Sequence, residues 1–134
     1  MPGTRNHSYL RTHEISGAIL RIQLTAEEQR LREQAAAARS GRSGKTLVKE
    51  GRLRITDVAL RKGTVLHPPQ QVEGAISMLM RRGRMRVTAG SGAIDVGPGE
   101  LVAFDEEVAH SAQALSDCVV LITTAMAQDA AIVR

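Results

Sequence analysis

Gly97-Pro98-Gly99-Glu100-Leu101-Val102-Ala103-Phe104-Asp105-Glu106-Glu107-Val108-Ala109-His110-Ser111 is the stretch that decides how this chain reads. Its opening is turn chemistry, because glycine reaches positive φ freely and proline fixes φ at about −65°. Leu101 to Phe104 is a short apolar strand, Asp105-Glu106-Glu107 is an acidic tip, and a second strand returns with His110 at its head. Just upstream, Met85, Val87 and Ala89 alternate with Arg84, Arg86 and Thr88, the pattern of a half-buried strand. Gly90-Ser91-Gly92 then makes a hairpin to Ile94 and Val96. Downstream, Ala112-Gln113-Ala114-Leu115 runs to a Ser116-Asp117 turn, and Cys118 to Ala125 is the last strand.

The same grammar holds further upstream. Leu53 and Ile55 alternate with Arg52 and Arg54, and a phase change at Thr56-Asp57 before Val58 and Leu60 predicts a bulge. Lys62-Gly63 turns. Val65 and His67 lead into Pro68-Pro69, an interruption suited to a sheet edge or loop. Ala75 to Met80 is apolar except for Ser77, and Arg82-Gly83 turns again. Strands at intervals of about ten residues with glycine turns predict an antiparallel sandwich or barrel.

The N-terminal part differs. Leu20, Ile22 and Leu24 alternate with Arg21 and Gln23, which predicts a short strand ending at Leu24. Thr25-Ala26-Glu27-Glu28 has the form of a capping box, so a helix should run to Ala38 or Arg39, with Glu28 and Arg32 spaced as an ion pair. Its apolar stripe, Leu31, Ala35 and Ala38, is thin, which places it on a surface or an oligomer contact. Gly44-Lys45-Thr46 looks like the end of a phosphate-binding loop. The required first glycine falls on Arg39 and no helix start follows, so Ser40 to Thr46 reads as a flexible connector. The expected division is an extension over 1–45 (strand, helix, connector), a barrel over 46–126 and a tail over 127–134.

Composition narrows the function classes. The chain has 134 residues, enough for one domain. Tyr9 and Phe104 are the only tyrosine, phenylalanine or tryptophan residues, so the core must be aliphatic, and a nucleic-acid binder that stacks bases on aromatic faces is disfavoured. The net charge of +4 comes from arginines scattered from Arg5 to Arg134, which reads as a solvated basic surface. Cys118 is the sole cysteine and sits in the run Cys118-Val119-Val120-Leu121-Ile122, a core position rather than a catalytic thiol. His7 and His13 read as exposed tail residues. Met1 to His13 has no apolar secretion core and no run is long enough to span a bilayer, so a cytoplasmic protein without membrane contact is expected.

The layout from Thr46 to Ala125 resembles the cupin superfamily, the small RmlC-like jelly-roll barrels. The family's second motif runs glycine, five residues, proline, one residue, glycine, two residues, histidine, three residues, asparagine. Its spacing fits from Gly99 to His110, with Asp105, Glu107 and Ala114 at the proline, second-glycine and asparagine positions. The first motif fits in spacing from Gly63 to Gly83. Its two histidine positions fall on Pro69 and Gln71, and its glutamate position on Ile76. In metal-using members the two histidines, the glutamate and the final histidine bind a divalent ion, and of these only His110 remains. If the strand is regular, His67 shares a face with Gln71, so His67, Gln71 and His110 form an alternative metal set of two imidazoles and an amide. It lacks the carboxylate of the iron facial triad and the third strong ligand of catalytic zinc sites.

The expected fold is therefore all-β, a double-stranded β-helix (jelly-roll, cupin) barrel with an N-terminal strand and short α-helix extension. By parity Met78 and Met80 follow Ile76 inside, and Ala112 and Ala114 follow His110. The resulting candidate ligand pocket is His67, Gln71, Ile76, Met78, Met80 and His110, apolar with a few polar groups. The alternative is that the two methionines fill the barrel. No catalytic residue and no cofactor is assigned. Three functions stay open: a metal-free small-molecule-binding barrel with a sensory or accessory role, a metal-dependent isomerase or dioxygenase using the alternative set, and a basic interaction module. Resemblance to the family also implies a homodimer, with the N-terminal segment as the candidate contact.

Overall fold

The computed structural model describes residues 19–66, 74–104 and 110–126. After the helix α1 (Leu24–Ala37) come the strands β1 (Arg42–Glu50), β2 (Leu53–Leu60), β3 (Val65–Leu66), β4 (Gly74–Arg82), β5 (Met85–Ala89), β6 (Gly92–Val96), β7 (Leu101–Phe104), β8 (His110–Ala114) and β9 (Cys118–Met126). They form two sheets, one in the order β1-β2-β9-β4-β7 and the other in the order β3-β8-β5-β6. Every pairing is antiparallel. From β2 onward the chain passes repeatedly between the sheets, with only β5 and β6 joined as a hairpin within one of them. That winding is a jelly roll, as the strand spacing predicted.

Side-chain alternation fills the space between the sheets. Along β4, Ile76, Met78 and Met80 point in at 5 %, 3 % and 2 % exposure. They meet Val58 and Leu60 of β2, Cys118 and Val120 of β9, Met85 and Val87 of β5, and Ala112 and Ala114 of β8 in one apolar cluster. The inward parity read from the sequence is thus the parity of the fold. With almost no aromatic rings available, flexible methionines close the gaps that branched aliphatics leave.

The quoted stretch ties the two sheets together. Its turn carries the chain from β6 in one sheet to β7 in the other. Gly99 has φ +81°, a conformation that strains any residue with a Cβ. The Gly99 N–H donates to the Met80 carbonyl at 2.7 Å, and the Met80 N–H donates to the Glu100 carbonyl at 2.9 Å. The Glu100 carboxylate accepts the Gly97 N–H at 2.6 Å and closes the turn on itself.

Four local expectations are corrected. Residues 19–23 form no strand. Gln23 caps α1, its side chain accepting the Thr25 N–H at 3.3 Å, and Leu24 already belongs to the helix. Three alternating residues are too few to choose a strand when no sheet edge pairs with them. The capping box is not formed, because Glu27 and Glu28 turn toward the sheet and are buried. The connector is a strand: β1 begins at Arg42 and pairs with β2 from Arg42 opposite Leu60. Finally, β2 has no bulge at Thr56-Asp57. The irregularity lies opposite, in β1 between Thr46 and Val48, and Asp57 is buried because α1 covers that face.

The helix does rest on a surface, the outer face of the first sheet. Leu31 and Ala35 pack on Ala59 and Val119 in a second, small apolar cluster. Burying one leucine there stabilises by about 2 kcal/mol, so the apolar attachment is modest. No helix among the described residues is long and apolar enough to cross a membrane.

Candidate functional site

The barrel has a sealed end and a looser end. At the sealed end Met85 and Val120 are 0 % exposed, Leu60 1 %, and Met80, Val96 and Cys118 2 %. Burial falls along the same strands in the other direction. On β9 the inward series runs from Cys118 and Val120 to the half-buried Ile122 and Thr124. Ile76 stands between Phe104 of β7 and Thr124 of β9 in the sheet register. Val102, Phe104 and Ile122 pack on the core while remaining partly open. Across the barrel, Ile94 lies opposite Val87 on β5 yet is 56 % exposed. Among the described residues, the less buried end of the barrel is framed by Ile76, Val102, Phe104, Ile122, Thr124 and Ile94, an apolar rim with the Thr124 hydroxyl.

The candidate residues named from the sequence gather at this barrel to differing extents. Ile76, Met78 and Met80 line the interior, with Ile76 nearest that end. The His110 backbone begins β8 and pairs with Ala89. Its side chain, and the whole of His67 and Gln71, lie outside the described residues. So do Asp105, Glu106 and Glu107 of the acidic tip, the Pro68-Pro69 interruption, and the tail histidines His7 and His13. β3 ends at Leu66 opposite Ala112, two residues from His110 along β8.

The interior tests the fit of a metal at one described position. The resemblance places the family's carboxylate ligand at Ile76. That side chain does point inward, but it is a hydrocarbon packed into the core and offers no electron pair. Among the described residues no three His, Cys, Asp or Glu side chains are placed to hold a metal ion. The described part of this barrel does not fit the divalent ion that metal-using members carry. Nor is Cys118 a nucleophile: burial, and then the nearby Asp117 carboxylate, push its thiol up to about 11, and the reactive thiolate is disfavoured.

A second polar feature, missed from the sequence, lies outside the barrel beneath α1. Asp57 is 0 % exposed and Glu27 1 %, with Glu28 at 9 %. Arg81 Nε donates to Glu28 Oε2 at 2.8 Å, and Lys45 Nζ approaches Glu27 Oε2 at 3.8 Å. The alternation of β2 marked Asp57 as out of phase, which was the available signal. What covers it depends on the helix docking on the sheet.

This topology defines a class: small double-stranded β-helix barrels. Comparison with solved structures places the fold among the cupins. A cupin superfamily protein from Desulfitobacterium hafniense superposes with a TM-score of 0.62 at 18 % identity, covering 69 % of this chain and 87 % of its own. A conserved protein of unknown function from Streptococcus pyogenes gives 0.65 at 18 % identity over 89 % of this chain and 96 % of its own. Salicylate 1,2-dioxygenase from Pseudoaminobacter salicylatoxidans gives 0.65 at 15 % identity over 78 % of this chain and 32 % of its own. At such identities the likeness is one of fold. No family model and no curated protein matches the chain.

Proposed function

We propose that this protein is a cupin barrel that binds a small organic molecule without a metal, in a sensory or accessory role. The observation that carries this reading is the apolar interior whose burial declines toward a rim of Ile76, Phe104 and Ile122. An apolar cavity with few polar groups binds by excluding water from apolar surface. The ligand expected is small and largely apolar, held against Met78 with His110, and with His67 and Gln71 as polar partners. The test is a thermal-shift screen with a panel of small apolar and aromatic carboxylic acids. It is run beside metal analysis of untagged protein purified without chelator. A ligand that raises Tm, with the gain abolished in Met78→Trp, supports the reading. Stoichiometric metal that is lost in His110→Ala overturns it.

That overturning result is the prediction of the second reading, a metal-dependent isomerase or dioxygenase using His67, Gln71 and His110. One of the fold neighbours being a dioxygenase is what favours it. One fold hosts many activities, so this is analogy. A homodimer through the N-terminal extension is also proposed. Ile19, which leads into α1, is 87 % exposed in the single chain, a position a second copy would cover. Light scattering of the full chain and of a variant lacking 1–23 tests it. A dimer that becomes a monomer on truncation agrees, and a full-length monomer refutes it.

A further inference from the structure

The buried polar layer beneath α1 has an uneven composition. Three carboxyl groups meet there: Glu27 and Glu28 from α1 and Asp57 from β2. Two cations answer them, Lys45 from β1 and Arg81 from β4. Arg30, also on α1, contributes from the exposed side and acts on Lys45. β9 lays the uncharged Leu121 opposite Asp57 and adds no titratable group on this face. With every carboxyl ionised, these five groups sum to one excess negative charge, with Asp57 and Glu27 fully buried and Arg81 and Lys45 at the partly exposed edge. With one carboxyl protonated they sum to zero.

Geometry says which carboxyl takes the proton. Glu28 is held by Arg81 at 2.8 Å and Glu27 faces Lys45 at 3.8 Å. The Glu27 oxygens and Lys45 Nζ lack a hydrogen bond, but they face each other as an ion pair, whereas the fully buried Asp57 has neither a hydrogen-bond donor nor a cation within ion-pair distance among the described residues. A bare carboxylate there would have no partner. A protonated one gains an O–H to donate toward the Glu28 carboxylate. Apart from these ions, α1 is attached by Leu31 and Ala35 on Ala59 and Val119, by the Ser43 hydroxyl donating to Gln34 at 2.7 Å and by the Arg61 guanidinium donating to the Ala36 carbonyl at 3.5 Å.

We propose that α1 is a proton-controlled latch: one proton held on Asp57 keeps the helix on the sheet, and its loss lifts the helix while the barrel stays folded. Lifting is the simplest relief of the excess charge, because it admits water to Asp57, Glu27 and Glu28 at once and gives up little apolar contact. The barrel core, on the opposite face of the sheet, shares no side chain with the latch. Burial first, then hydrogen bonding and charge from Glu28, push the Asp57 carboxyl up to about 9, with Glu27 adding and Arg81 opposing. The release is therefore expected on moderate alkalinisation. What is released is α1, and what is uncovered is Ala59, Val119, Arg81 and Lys45.

The test is methyl NMR of the full chain from pH 6.5 to pH 10.5. The Leu31 and Ala35 methyls report the latch, and the Val120 and Met85 methyls report the barrel. The expected result is a concerted shift of the Leu31 and Ala35 signals toward exposed values as pH rises through this range, while Val120 and Met85 stay fixed. In Asp57→Asn the Leu31 and Ala35 signals should stay at their docked positions throughout. Asp57→Leu, which carries no proton to lose, replaces that variant if it does not fold, with the same expectation. Static Leu31 and Ala35 methyls in the wild type overturn the proposal. So does an unchanged transition in the variant, or one in which barrel and helix signals move together.

Discussion

Arg81 Nε lies 2.8 Å from Glu28 Oε2, an ion pair that joins the sheet to the helix between residues 53 positions apart. Arg81 is the residue that the β4–β9 ladder skips: Met80 pairs with Val120 and Arg82 with Val119. The bulge frees Arg81 from the strand ladder, and its guanidinium reaches the α1 carboxylate. Glu28 raises the Arg81 pKa through that hydrogen bond. Replacing Arg81 with Met keeps the stem and removes the charge. Glu28 would then sit beside Glu27 and Asp57 with no cation of its own. A loss of about 2 kcal/mol is expected by urea denaturation, below the 3–5 typical of a fully buried pair because Arg81 is partly solvated.

The Asp57 carboxyl gives global stability a pH slope of definite sign. Its folded value of about 9 stands above its ordinary 3.8. Between those values the folded protein holds a proton that the unfolded chain has released. Unfolding then gives the proton up, so stability declines as pH rises through the window, by no more than about 1.4 kcal/mol per pH unit. Denaturation midpoints at pH 5 and pH 8.5 check this. The decline should be smaller in Asp57→Asn, whose side chain does not titrate.

The two ends of the barrel should differ in their tolerance of truncation. Met80→Ala opens a cavity at the sealed end, where Met85 and Val120 are rigidly enclosed, and is expected to cost about 3 kcal/mol. Phe104→Ala removes a larger side chain at the rim, where solvent can enter the space. Its loss should be the smaller of the two despite the larger volume. Urea midpoints of the two variants decide it. Equal or reversed losses would mean that the rim is packed as tightly as the floor.

Gly83 is irreplaceable for two independent reasons. Its φ is +76°, and a Cβ there would collide with the Asp117 carbonyl and come within 2.8 Å of the Cys118 Cβ. Both obstacles are fixed parts of the start of β9, not flexible side-chain ends. Gly83→Ala should destabilise by about 3 kcal/mol or more, read as a fall in Tm. Gly63→Ala provides the contrast. It has positive φ at +89° but nothing within 4 Å, so only backbone strain applies, and a loss of about 1 kcal/mol is expected.

Cys118 offers a simple check on the sealed end. It is 2 % exposed with its thiol pushed up to about 11. At pH 8 a thiol reagent should label the native protein only at the rate of its unfolding, and at once in denaturant. Rapid native labelling would mean that the end formed by Leu60, Cys118 and Met80 is open.

What the sequence by itself determined is the architecture and its polarity. Alternation in Met85–Ala89, the glycine turns at Gly63, Gly83, Gly90 and Gly97–Gly99, and the parity of Ile76, Met78 and Met80 all reflect local rules, because a strand has a period of two and a turn needs particular φ values. Those signals are carried by neighbours in the chain, so they can be read there. The tertiary structure decided what depends on residues far apart. Residues 42–46 became strand because β2 was there to pair with β1. Gln23 took the helix cap from Thr25, leaving Glu27 and Glu28 to turn under the helix. Asp57 became buried because α1 lay over it. In each case the deciding energy comes from a contact between segments that only folding brings together, and a carboxyl that looks solvated in the sequence is fully buried once a helix covers it.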